Sequence, residues 1–511
     1  FMIRRFRDEL IGGRSTADAI GWTVATAGES ILFSGLIVMI GFCGLLLLGV
    51  DIMSSLGIGG AVVVAISVLA ALTLLPALLA VLGHRINSLR MPFLSRLTMH
   101  ATRTGTGSAP KEERHGFWQR WAMGVMKRPV LIILLVTALL VGLGWPIFSL
   151  SLGSTSSASV PKSFEARQGI DILNAQFPET NAHPVFIVVQ APAGSSMLTP
   201  GNLARLDHLS TWIATQAHVT AVISLTHMPA TAGAPTLSEQ QLARLYSSGA
   251  YQRNPAMTQF VASTTKGNTT LITVMTKAKV DSSEGKALVN DLRAGDKPAA
   301  QGLTVLVGGE QADSLDFIHY LYGNFPWAIL FILVATYLLL LLMFRSVFLP
   351  LKAILMNVLS VSACLGLLVF IFQWGNFSNI LGFTSEGFLD SVIPILLFCI
   401  LFGLSMDYEV FLLSRVREEW LRTHQNRWAV ARGLEKTGGV ITNAALLFVI
   451  VAGAFTFTSL VVTKEMGLGM AVAVLVDATI IRTLLVPATM RLLGRWNWWL
   501  PGRPLPSKQE G

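Results

Sequence analysis

The chain has 511 residues, of which 52% are apolar and only 13% charged, with a formal net charge of +9. Soluble domains carry roughly 25% charged residues, so an ordinary soluble protein is excluded, as is a disordered chain, which needs low hydrophobicity. The three cysteines, Cys43, Cys364 and Cys399, each lie in an apolar run without a ligand-type neighbour. That pattern argues against a disulfide framework or a zinc site and for small buried hydrophobes.

In chain order, eight apolar stretches reach the ~20 residues that a helix needs to cross a hydrocarbon core. They lie at about 29–49, 55–82, 129–150, 326–344, 350–373, 388–413, 439–461 and 466–492. The connections between them sort by charge. Arg4, Arg5, Arg7 and Arg14 precede the first stretch, and nine basic residues from Arg85 through Arg90, Arg96, Arg103, Lys111, Arg114, Arg120 and Lys127 to Arg128 separate the second from the third. Arg345 and Lys352 flank the turn between the fourth and fifth. Arg415, Arg417, Arg422, Arg427, Arg432 and Lys436 lie between the sixth and seventh, and Arg491 and Arg495 follow the eighth. Alternating spans put all of these on one side of the membrane. The positive-inside rule makes that side, with both termini of the chain, cytoplasmic. The basic balance therefore points to membrane topology and not to nucleic acid.

The long segment at about 151–325 is polar and patterned like a soluble domain. "VFIVVQ" (185–190), "TLITVMT" (270–276) and "LTVLVGG" (303–309) read as strands. Residues 163–177, 199–216 and 284–295 read as amphipathic helices. Strands separated by helices predict an α/β domain on the extracytoplasmic side, in which Trp212, Tyr246 and Tyr251 pack a core. Residues 98–116 read as a cytoplasmic linker. The chain thus divides into a truncated helix end and linker (1–28), two spans (29–82), a basic linker (83–128), one span (129–150), the extracytoplasmic domain (151–325), five spans (326–493) and a cytoplasmic tail (494–511).

The two groups of spans repeat each other. "FMIRRFRDEL" (1–10) aligns with "FLLSRVREEW" (411–420), Gly28 with Gly438, Ile31 with Ile441, and "LGIGGA" (56–61) with "MGLGMA" (466–471). After one inserted residue, "LTLLPALLAVLG" (72–83) aligns with "TLLVPATMRLLG" (483–494). Parallel repeats of this kind occur in transporters whose halves rock against each other. The later half has a span before Phe411 and the earlier half has none before Phe1. The expectation is a C-terminal portion of a protein with roughly twelve spans, in which a matching extracytoplasmic domain and four further spans lie upstream.

Ionisable residues inside apolar helices mark function by default. In "FGLSMDYEVFLLSRVREEW" (402–420), Asp407 lies two turns before Arg415, about 12 Å along a helix. An ionised carboxylate at that depth costs ~2.5–3.5 kcal/mol or more, so the group can load and release a proton. Tyr408 can relay or orient that proton, while Glu409 and Phe411 lie on other faces or one turn below. Helix glue by hydrogen bonding is the bland alternative for Asp407. In "VLVDATIIRTLLVPA" (474–488), Asp477 and Arg482 are five residues apart, about one and a half turns, and so not in one vertical line. They pair through a bend, or each pairs with other helices, or Arg482 snorkels to the interface. Ser34 is a further candidate in the first stretch, with Asn443 near its repeat position. Lys464, Glu465, Glu386 and Asp390 read as solvated helix ends, and His84, His319 and His424 carry no role. The repeat partners of Asp477 and Arg482 are Ser67 and Ala71, so the titratable groups gather in the later half. No GxxxxGK[ST], GxSxG or HExxH pattern occurs, which argues against an enzyme and for an ion gradient as the energy source.

At these residues the chain resembles the MMPL family of the RND superfamily, exporters of hydrophobes and lipids in bacterial inner membranes. The motifs that carry the resemblance are residues 401–420, 474–501 and 1–10, together with "VPKSFEARQGIDILNAQFP" (160–178), and it covers essentially the whole chain. The resemblance implies twelve spans, two porter-like extracytoplasmic domains, and an Asp-Tyr pair in the fourth and tenth spans that relays protons. Asp407 and Tyr408 match the tenth-span pair, Asp477 a last-span acid linked to the relay, and Ser34 a fifth-span serine near it. The fourth-span pair would stand four and three residues before Phe1. Arg482 is the charge partner this pattern offers, and Phe411 a position for substrate contact or gating.

The expected fold is therefore an α-helical polytopic membrane protein with eight of twelve helices, a parallel RND-type repeat and an inserted α/β porter-like domain. The expected function is proton-motive-force-driven export of lipids or other hydrophobes across the bacterial inner membrane. The competing reading is a non-transporting RND-like receptor or scaffold. The partners are a hydrophobic substrate, protons and membrane lipids, with a homo-oligomer allowed; no cofactor, metal or nucleic acid is called for.

Overall fold

The computed structural model describes residues 2–87, 116–154, 160, 163–177, 183–228 and 239–501. The expected linker at 98–116 falls outside the described residues except for Gly116, as do Arg90, Arg96 and the tail beyond Pro501. The chain forms two units. One comprises residues 1–150, 323–381 and 392–511, and the other residues 151–322 and 382–391.

Eight helices among the described residues are long and apolar enough to cross a membrane. They are Thr16–Leu48, Asp51–Leu82, Pro129–Ser149, Glu310–Phe344, Phe348–Gln373, Ile393–Thr423, Asn426–Phe457 and Val461–Trp498, numbered here as spans one to eight. Helices are required because hydrocarbon offers backbone groups no partner. Each span exceeds its apolar stretch where polar turns extend it. Span four starts at Glu310 and carries Pro326 inside. Span six starts at Ile393 and not at 388, because Pro394 occupies its first turn. Residues Leu389–Asp390 form instead a short strand, β7, paired in parallel with β1, Leu152–Gly153.

The internal repeat is visible in the backbone. Spans one and seven both close with a 3-10 turn, Leu45–Leu48 and Phe455–Phe457. Gly83 (φ 45°, ψ −127°) and Gly494 (φ 52°, ψ −120°) end spans' last α-helical turns in the same conformation, which only glycine adopts readily. Each opens a 3-10 turn, Gly83–Asn87 and Gly494–Trp498.

Spans five, six and eight are the most enclosed, with 67%, 67% and 61% of their apolar windows buried, against 6% for span two. Span one packs on span six through missing side chains. A Cβ on Gly403 would lie 2.8 Å from the Cα of Val38, and one on Gly41 would lie 2.5 Å from the Cys399 carbonyl oxygen. Such small residues let membrane helices approach closely.

In the second unit, strands β2 (His183–Gln190), β3 (Val219–Ile223), β4 (Thr265–Lys266), β5 (Thr269–Thr276) and β6 (Thr304–Gly308) form one antiparallel sheet in the order β3-β5-β2-β6, with β4 on β5. Alternate residues of β5 are buried, as period-two patterning requires. Helices Pro200–Ala214 and Ser283–Ala300 supply Leu206, Leu209, Ile213, Leu288 and Leu292 to the core over Val185, Ile187 and Ile272. Tyr246 is in this core, with Trp212 and Tyr251 against it. Helices Glu165–Gln176, Glu239–Ser247 and Pro255–Thr264 also belong to this unit.

The close contact at Gly403 makes a direct prediction. Gly403→Ala forces helix separation and is expected to cost about 1–3 kcal/mol, read as a lower thermal melting point in detergent. Gly142→Ala, whose added methyl meets no atom within 4 Å, should leave the melting point unchanged. Equal melting points would contradict the packing.

Candidate functional site

Ionisable groups within a bundle are tolerated where they face its interior and find partners. The three most enclosed spans carry them here: Lys352 on span five, Asp407, Tyr408 and Glu409 on span six, and Asp477 and Arg482 on span eight.

Asp407 faces span one. The Ser34 hydroxyl donates to its Oδ1, and Ser34 is buried. The glycine contacts above bring these two helices close enough for so short a side chain to reach. A serine hydroxyl can donate to a carboxylate or accept from a carboxylic acid, so the pair stays hydrogen-bonded with or without the proton. Asn443, near the repeat position of Ser34, is exposed, as is Ser67, the counterpart of Asp477.

Span eight changes its winding at Asp477. Residues Asp477–Leu485 form a π-helix of nine residues. Its hydrogen bonds run over five residues instead of four, which brings positions five apart over one another. Arg482 accordingly donates to Asp477 Oδ2 at 2.7 Å, and both are buried. The Arg482 guanidinium also lies 5.2 Å from the centre of the Tyr408 ring, a cation–π distance. One cation thus touches both the last-span acid and the tyrosine next to Asp407. Of the alternatives for Arg482, the direct pair holds and snorkelling does not. The helix Phe117–Val125 docks on the widened segment, with Trp121 Nε1 donating to the Thr483 carbonyl at 3.3 Å. Its first turn is capped by Glu435, which accepts from the Gln119 N–H at 2.9 Å.

Two further groups join the cluster that sequence reasoning did not place there. Lys352, which flanks the turn between spans four and five, sits in the second turn of the helix Phe348–Leu368 and is buried. Its Nζ is 3.8 Å from Glu409 Oε1, also buried. Lys352 stands between apolar residues five positions into the helix, and that signal could have found it. Phe411 is one turn past Asp407, buried, with the Arg415 guanidinium 5.9 Å from its ring centre; it lines a groove with Thr26, Ala27, Met343, Phe344 and Ser414.

Lys464 and Glu465 are not solvated helix ends. Both are buried in the first turns of span eight, and Lys464 Nζ donates to the Leu381 carbonyl. The loop around Leu381 folds over the helix end and supplies the acceptor. Glu386 and Asp390 are half-buried. Among the described residues no group of His, Cys, Asp and Glu is arranged to hold a metal ion, and Cys364 and Cys399 are free and buried, with Cys43 partly so.

The MMPL family model matches residues 1–132 and 158–509. The chain belongs to the MMPL family. It is 33% identical to the trehalose monomycolate exporter MmpL3 of Mycobacterium tuberculosis over 98% of this chain and 51% of that protein. It is 33% identical to the mycolic acid-containing lipids exporter MmpL11 of Mycolicibacterium smegmatis over 98% of this chain and 48% of that protein. The M. tuberculosis MmpL11, named a heme uptake protein, is 32% identical over 98% of this chain and 47% of that protein. The chain therefore spans about half the length of the curated relatives it matches. A SecDF crystal structure in its super-membrane-facing form aligns with 96% of this chain and 52% of that one, at 14% identity and a TM-score of 0.43.

The Asp477–Arg482 pair should behave as a unit. Removing one partner of a buried pair costs about 3–5 kcal/mol, whereas replacing both with apolar residues is often neutral. Arg482→Met alone is expected to lower thermal stability sharply, and Asp477→Leu with Arg482→Met to restore most of it. A double variant as unstable as the single one would contradict the pairing.

Proposed function

We propose that this chain carries the second-repeat half of a proton-driven exporter of lipids or other hydrophobes in a bacterial inner membrane, with its basic loops and termini cytoplasmic. Asp407 takes up and releases the proton, Ser34 keeps it hydrogen-bonded in either state, and Tyr408, Arg482 and Asp477 couple that change to span eight. The observation that carries the reading is the convergence of these groups from spans one, six and eight in the most enclosed part of the bundle. Such a cluster has two stable arrangements only if protonation changes its pairing, and a shift between arrangements is what moves the helices. The relatives named as lipid exporters support an apolar cargo, and the eight spans support a multi-pass membrane protein.

The test is export by the complete protein in energised vesicles. Asp407→Asn removes the titratable group while keeping its shape, and is expected to reduce export to background with an unchanged melting point. Wild-type export by that variant would overturn the relay role. Export that persists with a protonophore present would favour a carrier or scaffold driven otherwise, and accumulation of the lipid on the inner side would reverse the direction.

A further inference from the structure

A small cavity lies between spans five, six and eight. It is lined by Asn357 and Ser360 of span five, Ser405 and Tyr408 of span six, and Asp477 of span eight, together with apolar side chains. Its volume at a water-sized radius is about 10 Å³, close to the minimum that holds one water. Asn357 and Ser360 are each 2% exposed. The Asn357 amide is held in one orientation because its Nδ2 donates to the Phe402 carbonyl at 3.1 Å. That leaves Oδ1 enclosed with no protein donor. An acceptor buried without a donor costs about 1–3 kcal/mol, and a cavity walled by polar groups is where a water repays it.

We propose that this cavity is a bound-water site and that the water held by Asn357 and Ser360 links Asp477 to Tyr408 in the proton path. The proposal rests on the relay reading above and names two residues that the relay reading does not include. The water donates one hydrogen to Asn357 Oδ1, which orients it. Its second hydrogen and its lone pairs serve the two titratable groups. A proton accepted on the water oxygen from one side is matched by a different proton released to the other, so the water is unchanged and no co-reactant is needed. Asn357 and Ser360 are positioning residues in this scheme, since they never carry the proton. Asn357 and Ser360 of span five thereby gain a role in the cavity they share with spans six and eight.

The experiment uses the complete protein in proteoliposomes, with proton flux followed by a pH-sensitive dye and the bound water by infrared difference spectroscopy in H2(18)O. Asn357→Leu fills the cavity and removes the acceptor. It is expected to lower proton flux about tenfold or more and to abolish the isotope-sensitive O–H stretch. Asn357→Ala leaves room for water but removes the acceptor that orients it, and should keep an isotope-sensitive stretch at a shifted frequency with a flux between those of the wild type and Asn357→Leu, which a merely structural role would not predict. Ser360→Val provides the same two readings if Asn357→Leu fails to fold. Flux at the wild-type level in the filled variants, or no isotope-sensitive stretch in the wild type, overturns the water link. Asp407→Asn run alongside separates the two claims: if it stops flux while the filled variants do not, only the water link falls, and if it leaves flux unchanged, the relay reading falls with it.

Discussion

A charge in hydrocarbon needs a partner, and the membrane unit is arranged around that constraint. An unpaired ionised side chain at the centre of a span costs ~2.5–3.5 kcal/mol or more. The buried ionisable groups are accordingly drawn into spans five, six and eight, the three most enclosed helices, while Val63, Ile66 and Leu69 of span two are apolar and exposed. Pairing then fixes the helix contacts. Ser34 reaches Asp407 only because Gly41 and Gly403 let spans one and six touch along their backbones. Packing and electrostatics here are one requirement: the glycines set the distance and the carboxylate gives a reason for it.

The π-helical segment Asp477–Leu485 follows from the same constraint. In an α-helix, Asp477 and Arg482 would point to different sides, and each would need a partner on another element. Widened winding lets the arginine answer its own helix's aspartate and still face the Tyr408 ring. A widened turn is also a place where a helix can change its winding, since its hydrogen bonds have a close alternative one residue back. The segment stands where the repeat's other half breaks its helix at Thr73, between Leu72 and Leu74. By the repeat alignment Thr73 corresponds to Leu484, at the end of the segment, and the counterparts of Asp477 and Arg482 lie in regular helix.

Much of this was legible in the sequence for simple reasons. Apolar length alone finds the eight spans, and period-two runs find β2, β5 and β6. Asp407, Tyr408, Asp477, Arg482 and Ser34 stand out as polar groups in apolar helices, and the structure brings them together. What was not legible depends on context that a linear pattern lacks. The five-residue spacing of Asp477 and Arg482 reads as a mismatch only if the helix keeps 3.6 residues per turn. Lys352 reads as a charge flanking the turn before its span, and only the fold shows it buried beside Glu409. Lys464 and Glu465 look like interfacial charges because their cover, the chain around Leu381, comes from far away in sequence. The two-residue strand Leu389–Asp390 pairs with Leu152–Gly153, more than two hundred residues earlier, and hides in an apolar run that reads as helix.

The central claim is that Asp407 changes protonation while it stays in the bundle. Infrared titration of the complete protein in lipid nanodiscs, with carbon-13 in its aspartate carboxyls, addresses it most directly. The account predicts a protonated-carboxyl stretch that appears and disappears as the pH is varied, is absent from Asp407→Asn, and changes frequency in Ser34→Ala as its hydrogen bond is lost. A spectrum in which Asp407→Asn removes no titrating band would contradict it.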